Sequence, residues 1–387
     1  MIINTADRLH TTKEYYFSTK LQEVRQLMAA GKDIINIAIG NPDRMPSVET
    51  IEALSEAAHE KDVHGYQPYR GIPELRKGLS DWMQEVYHVT LDSEEEILPM
   101  IGSKEGITHI SLAFLNPGDK VLVPELGYPA YRAVSEMVGA EALTYPLIHD
   151  QWTPDFEAMD KLNLSGVKIM WVNYPHMPTG APPNRALFEK LVGFARRHKI
   201  LLCHDNPYSL ILNDGDPLSL LAIPGAKEVA VELNSLSKSH NMAGWRIGWL
   251  AGSKPYIDAA LKIKSNVDSG TFKPMQLAAV VALKNPAQWH IERNDLYRDR
   301  KKVVCQILDY LQCTYSDVQT GMFVWARLPE HGPDAEAMVE KLLHDYQIFL
   351  APGFIFGEKG RRYIRISLCV PEETLAIALD RLENFRY

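Results

Sequence analysis

The sequence predicts an α/β protein: a large domain with a mainly parallel sheet between helices, plus a smaller α+β domain. Three observations lead there. Short apolar runs alternate with helical segments through the middle of the chain. Those runs end in polar or glycine-containing sequence, as strands do when their carboxyl ends face a ligand. The 387 residues also exceed what one compact core organises, so two domains are expected.

Residues 97–100 are strand-like and lead into Gly102-Ser103-Lys104, which opens a helix. Residues 120–123 form the next strand, ending at Pro124 and followed by Gly127-Tyr128. Val167–Val172 (VKIMWV) is closed by Asn173 and Pro175. A helix follows, because Leu187, Leu191, Phe194 and Ala195 share a face that excludes Glu189, Arg196 and Arg197. Residues 200–203 run into Asp205, and 229–233 into Ser235. Apolar strands in alternation with helices belong in a parallel sheet covered on both faces. The last third reads differently. A long helical stretch, 286–311, precedes strand-like 322–328 (MFVWARL), and then 348–351 and 363–368 alternate with helical 334–346 and 372–385. The expected division is an N-terminal arm with part of the small domain, 1–45, a large domain, 46–280, and a small domain, 281–387.

Apolar residues make up 46% and charged residues 23%, the balance of a soluble globular protein. A formal net charge of -8 gives no footing for nucleic acid or an anionic membrane. Residues 1–12 lack the apolar core of a signal peptide, and no apolar run is long enough to span a bilayer. Cys203, Cys305, Cys313 and Cys369 show no CxxC or Cys/His ligand spacing, so no metal site is expected. Reduced, buried thiols fit a cytoplasmic protein.

The chemistry concentrates in Ser235-Leu-Ser237-Lys238-Ser-His-Asn-Met-Ala-Gly244-Trp-Arg246-Ile-Gly248. A lysine by itself is ordinarily a solvated surface charge. Lys238 instead follows a buried-type strand and precedes a loop with two glycines and an arginine. A lysine in an apolar, cation-rich setting loses proton affinity and can form an imine with an aldehyde. Ser235, Ser237 and Arg246 are suitable phosphate donors. Gly244 and Gly248 would let backbone approach closely.

This segment resembles the lysine segment of the class I/II, fold-type I aminotransferases that depend on pyridoxal 5′-phosphate (PLP). The wording NMAGWRIG, with Asp268-Ser269-Gly270 later, is most similar to the alanine and LL-diaminopimelate aminotransferase branch. Further family motifs occur in the expected order, so the resemblance covers essentially the whole chain. It implies a Schiff base between Lys238 and PLP. It further implies that Asp205, which alone would read as a strand-end cap, pairs with the pyridine nitrogen, and that Tyr208 donates to the ring 3′-oxygen. Ser103 at a helix N-terminus matches the phosphate segment. Lys104 lies beside it and need not touch the phosphate. Tyr128 matches the aromatic stacked on the ring, and Asn173 belongs to the cofactor set. Arg365 matches the arginine of the substrate α-carboxylate, near the Gly40-Asn-Pro-Asp43 segment, where Gly40 admits the ligand. Tyr66 matches the tyrosine that reaches the partner subunit's phosphate, which implies a homodimer with shared active sites.

One departure stands out. Asn173-Tyr-Pro-His176-Met177-Pro-Thr-Gly180 has Met177 where the family carries the asparagine that donates to the 3′-oxygen. Methionine has no donor. The 3′-oxygen then leans on Tyr208, with His176 a neighbouring candidate for a substitute donor, or Met177 simply packs against the ring.

The resemblance implies transamination between an L-amino acid, such as alanine or another neutral or diamino acid, and 2-oxoglutarate or pyruvate. A C–S β-lyase would use the same site, and a half-reaction separates the two. A non-catalytic PLP-fold regulator would need a DNA-binding segment for which the N-terminal residues are too few.

Overall fold

Seven strands form one sheet, and burial on both of its faces explains their composition. From edge to edge they are Ile97–Met100, Gly248–Gly252, Ala230–Ser235, Leu201–Asp205, Val167–Val172, Lys120–Pro124 and Glu141–Tyr145. Only Gly248–Gly252 runs against the others. Every residue of Leu201–Asp205 and Ala230–Ser235 is buried, as a sheet covered by helices on both sides requires. This is a computed structural model, and it describes residues 3–6, 8–11, 16–383 and 385–386. Part of the expected N-terminal arm, with the signal-peptide reading of its first residues, lies outside the described residues.

The strands expected in this sheet form with ends displaced by at most two residues, whereas the one expected over 348–351 splits into Ile348–Phe349 and Ala351–Pro352, which join different sheets. Two others were not among the expected strands. Glu141–Tyr145 is an edge strand with mostly exposed or half-buried side chains. Gly248–Gly252 opens on a glycine of the lysine segment. A Cβ on Gly248 would lie 2.9 Å from Asn234 O, Gly102 C and Ser103 N. Glycine is needed there because the backbone at residues 102–103 presses on the strand. Gly244 corrects the expectation of a second close approach, since a Cβ there would meet nothing within 4 Å.

The helix Arg185–His198 shows how the layers are held. Leu187, Phe188, Leu191, Val192, Phe194 and Ala195 are buried. The larger of these contribute about 1.5–3 kcal/mol each on burial. Asn184 caps the start by accepting the Leu187 N–H at 2.8 Å. Arg196, Arg197 and His198 occupy the last turn, where the helix dipole favours cations.

Thr314–Tyr315, Phe323–Arg327, Tyr363–Ser367 and Ala351–Pro352 form a second, antiparallel sheet. Helices Ala287–Tyr310 and Ala335–Asp345 pack beside it. The helix expected over 372–385 ends at Arg381. Ile35–Asn36 pairs in parallel with Ile348–Phe349, which ties the N-terminal segment to this region. Residue 280 falls inside the helix Lys273–Ala282, which packs on Val48–Ala58.

An ion pair between a buried arginine and a surface aspartate fixes the chain just beyond. Arg300 is 1% exposed and donates from Nη1 and Nη2 to Asp43 Oδ1 and Oδ2, each at 2.7 Å. Burial alone would raise the Asp43 carboxyl, but the Arg300 fork outweighs it and holds it below its ordinary value. Asp43→Ala would leave the buried guanidinium without its carboxylate, and a loss of about 1–3 kcal/mol is expected by urea denaturation. Asp43→Leu combined with Arg300→Met should recover most of that loss, because it removes both charges.

Candidate active site

The carboxyl ends of four neighbouring strands open into one cavity of about 390 Å³. Tyr128 follows the strand Lys120–Pro124, Asn173 follows Val167–Val172, and Asp205 and Ser235 end their own strands. All four line the cavity, together with Gly40, Ser103, Lys104, Tyr208, Ser237, Lys238, Arg246 and Arg365. Tyr66 is not brought there; it is 96% exposed on the surface.

Lys238 lies in the single helical turn Leu236–Ser239 that follows the Ser235 strand. Ser235 caps that turn by accepting the Ser237 N–H at 3.1 Å. The Lys238 Nζ donates to the Gly40 carbonyl. Burial pulls the Lys238 amine below its ordinary value, with Arg365 and Arg246 adding to the effect. A Cβ on Gly40 would fall 2.1 Å from the Phe323 ring, so only glycine fits between that ring and the lysine's acceptor.

Asp205 is buried. Its Oδ2 accepts from Tyr131 Oη at 2.9 Å, and its Oδ1 has no hydrogen-bond partner among the described residues. Burial pushes the carboxyl up to about 6, against the pull of Tyr131, His204 and Ser103. Tyr131 was not singled out from sequence. It stacks on Trp171 with centroids 5.1 Å apart and meets Tyr128 edge-on at 5.7 Å. Its i,i+3 spacing from Tyr128 on a helix start was the available signal. Behind Asp205, His204 Nδ1 lies 2.8 Å from Glu232 Oε2, both side chains fully buried. Burial would raise Glu232, but His204, Asn234 and the Leu220 N–H hold its carboxyl below the ordinary value.

One end of the cavity collects donors. The helix Ser103–Phe114 starts after Gly102, whose φ is +80°. A Cβ on Gly102 would lie 2.2 Å from Arg246 Nη2, so glycine makes room for the guanidinium. Arg246 Nη1 donates to Ala243 O at 2.8 Å and approaches Ser237 Oγ at 3.4 Å. Backbone N–H groups at the helix start and the guanidinium together suit an anion. Lys104 is exposed at the rim.

The opposite end holds Arg365, buried on the strand Tyr363–Ser367. Its Cζ lies 3.7 Å from the Phe323 ring centroid and 4.5 Å from that of Phe356. Nη2 donates to Ala38 O at 3.0 Å and Nη1 to Met177 Sδ at 3.3 Å. Met177 thus faces the arginine. His176 does not supply a substitute donor to the cavity. Its Nδ1 lies 2.7 Å from Thr179 Oγ1 and its Nε2 lies 3.1 Å from Leu126 O, so both ring nitrogens are engaged elsewhere. Burial pushes His176 down to about 4. Asn173 holds the turn by donating to Asp205 O at 2.6 Å and accepting the Met177 N–H at 2.8 Å.

A family model described as aminotransferase class I and II matches residues 32–382. An LL-diaminopimelate aminotransferase of Aquifex aeolicus is 38% identical, covering 98% of this chain and 99% of its own. A counterpart of the same name from Oleidesulfovibrio alaskensis is 40% identical over 98% of each. Among solved structures, substrate-bound BacF of Bacillus subtilis superposes with a TM-score of 0.93 at 33% identity, covering 99% of this chain and 98% of that one. An aspartate aminotransferase mutant of Thermus thermophilus gives 0.91 at 25% identity, covering 99% of each chain.

Proposed function

The chain belongs to the class I and II aminotransferases, and on that premise we propose that one cavity lets Lys238 serve an L-amino acid and a 2-oxo acid in turn. PLP-dependent amino transfer is the activity of the chain. The convergence of Lys238, Asp205, Arg246 and Arg365 on one cavity carries the assignment of roles.

The residues present fit PLP. Asp205 Oδ1, buried without a donor, suits a protonated ring nitrogen. Ser103, Ser235, Ser237 and Arg246 suit the phosphate, Lys104 lies beside them, Tyr128 offers a ring face, and Tyr208 offers a hydroxyl to the 3′-oxygen. Asn173 positions the strand end that carries Asp205. When bound, the cofactor supplies an aldehyde that condenses with an amine and a cationic ring that accepts electron density. Burial keeps Lys238 nearer its neutral, nucleophilic form, and the freed amine takes and returns the substrate's α-proton. Arg365 holds the α-carboxylate, its guanidinium fixed between Phe323 and Phe356. Tyr131 keeps Asp205 oriented.

Mixing the holoenzyme with an amino acid alone tests the reading. Conversion should stop after one oxo acid per site, with no ammonia released. Continuous release of ammonia and oxo acid would indicate a C–S lyase instead.

The exposed Tyr66 supports a homodimer in which it reaches the partner's phosphate site. The two sheets are read as cores of a large domain, 46–280, and a small one, 281–387, with the arm 1–45. No helix of the described residues is long and apolar enough to cross a membrane. Cys203, Cys305, Cys313 and Cys369 are free, which supports a reducing, cytoplasmic setting.

A further inference from the structure

The helix Ala287–Tyr310 carries two buried arginines, Arg293 and Arg300, seven residues apart on one face. Arg300 serves the substrate side of the cavity. Besides Asp43 it holds the Leu368 carbonyl at 3.0 Å, and these lie three residues beyond Gly40 and Arg365 respectively. Arg293 is 5% exposed and serves the cofactor side. Its Nη1 donates to the Ser239 carbonyl and its Nη2 to the Leu210 carbonyl. Ser239 directly follows Lys238, and Leu210 stands two residues beyond Tyr208.

Both carbonyls need such a donor. The turn Leu236–Ser239 is too short to satisfy its own last carbonyls. The segment after Tyr208 is strained, with Leu212 at φ +47°. Asn294 reinforces the hold on it, donating to Leu210 O at 3.1 Å and accepting the Leu212 N–H at 3.2 Å. Trp289, one turn before Arg293, stacks on His240 with centroids 6.1 Å apart, and the Arg293 Cζ lies 5.5 Å from its ring. Burial brings the guanidinium down to about 10, which leaves it a cation at neutral pH. All of these contacts are made within one chain.

We propose that Arg293 is a positioning residue for amino transfer: one guanidinium ties the Lys238 turn to the segment behind Tyr208, so that amine and hydroxyl keep a fixed relation across the cavity. The inference rests on the reading of Lys238 as the reactive amine and deepens it. A displacement of about 1 Å at a reacting group costs on the order of 10²-fold in rate. A residue outside the cavity thereby sets the geometry inside it.

Arg293→Met keeps the stem and donates nothing, whereas Arg293→Lys keeps the charge without the fork that spans two carbonyls. In the cofactor-free protein, hydrogen exchange read by peptide mass should rise at least about five-fold over both 209–213 and 236–242 in Arg293→Met, and stay at the wild-type rate over 40–45 and 366–370. Reductive methylation of Lys238 with formaldehyde and borohydride, followed across pH, gives a second readout. The amine faces Arg246, Arg365 and Cys369, which the variant leaves in place. Water admitted by the loosened turn should move the labelling profile upward by about half a pH unit or more. In the holoenzyme kcat should fall about 10- to 100-fold with KM within about two-fold, and Arg293→Lys should recover part of the loss. An unmoved labelling profile, or exchange raised evenly along the chain in both variants, would overturn the inference. Those two measurements use the empty protein, so they decide it separately from the aminotransferase reading, which a holoenzyme that converts no amino acid would overturn.

Discussion

Lys238→Ala is expected to lower kcat/KM for amino transfer by at least about 10⁴-fold, because the same amine is both nucleophile and proton carrier. Among the described lining residues no second amine is placed to replace it. Lys104 is at the exposed rim, and the remaining lining cations are guanidiniums. Lys238→Arg should not rescue the activity, since a guanidinium stays protonated at any working pH and offers no neutral amine. The fold should survive either change, because Lys238 is only half-buried and, among the described residues, its amine donates only to the Gly40 carbonyl. Borohydride reduction followed by peptide mass analysis provides an independent check. The cofactor should be trapped on the peptide containing residue 238 in the wild type and on no peptide of Lys238→Ala. Activity within ten-fold of wild type would remove Lys238 from its assigned role.

Asp205 should produce opposite effects in the loaded and empty proteins. In the loaded protein, Asp205→Ala removes the buried partner of a cation, a loss of about 3–5 kcal/mol. That corresponds to roughly 10²- to 10⁴-fold weaker PLP retention, measurable by equilibrium dialysis. In the empty protein the carboxyl sits near 6 rather than at 3.8, chiefly through burial. The folded state then holds the proton more tightly than the unfolded state does. Stability therefore falls as pH rises from about 3.8 to about 6, and the full penalty, about 3 kcal/mol, persists above that window. Asp205→Asn retains an acceptor for Tyr131 but does not titrate. Apo Asp205→Asn should match apo wild type below pH 3.8 and be more stable by up to about 3 kcal/mol at pH 7. Denaturation of both apo chains across this range decides it; a variant less stable at pH 7 would refute the sign.

The polar floor of the cavity was legible because its residues arrive in contiguous segments at strand ends. Ser235-Leu-Ser237-Lys238, Asp205 with Tyr208, and Gly102-Ser103 each carry several chemical groups within a few positions. The sheet was legible for a related reason, since most of its strands begin in an apolar run before their polar ends. Residues that act only through docking were not legible. Tyr131 and Arg293 are ordinary helix residues until their helices are docked. His176 looked available because it neighbours Met177, but its ring turns to Leu126 and Thr179. Glycines were ambiguous for the same reason. Gly248 lies in a strand pressed by another backbone, whereas Gly244 faces open space.

The pairing of Ile35–Asn36 with Ile348–Phe349 has a consequence for the order of birth of the molecule. A ribosome releases the first of these segments long before the second, with nearly the whole chain between them. Until then Ile35 and Ile37 lack the strand that buries them, and the Ile37 carbonyl lacks the Ser367 N–H it accepts. The seven-stranded sheet contains no residue beyond Gly252, so it can consolidate earlier. Ala38 and Gly40, which hold Arg365 and Lys238, are fixed only when the tail returns. A nascent chain therefore exposes a sticky N-terminal edge throughout translation, which makes a holding chaperone most useful at that moment.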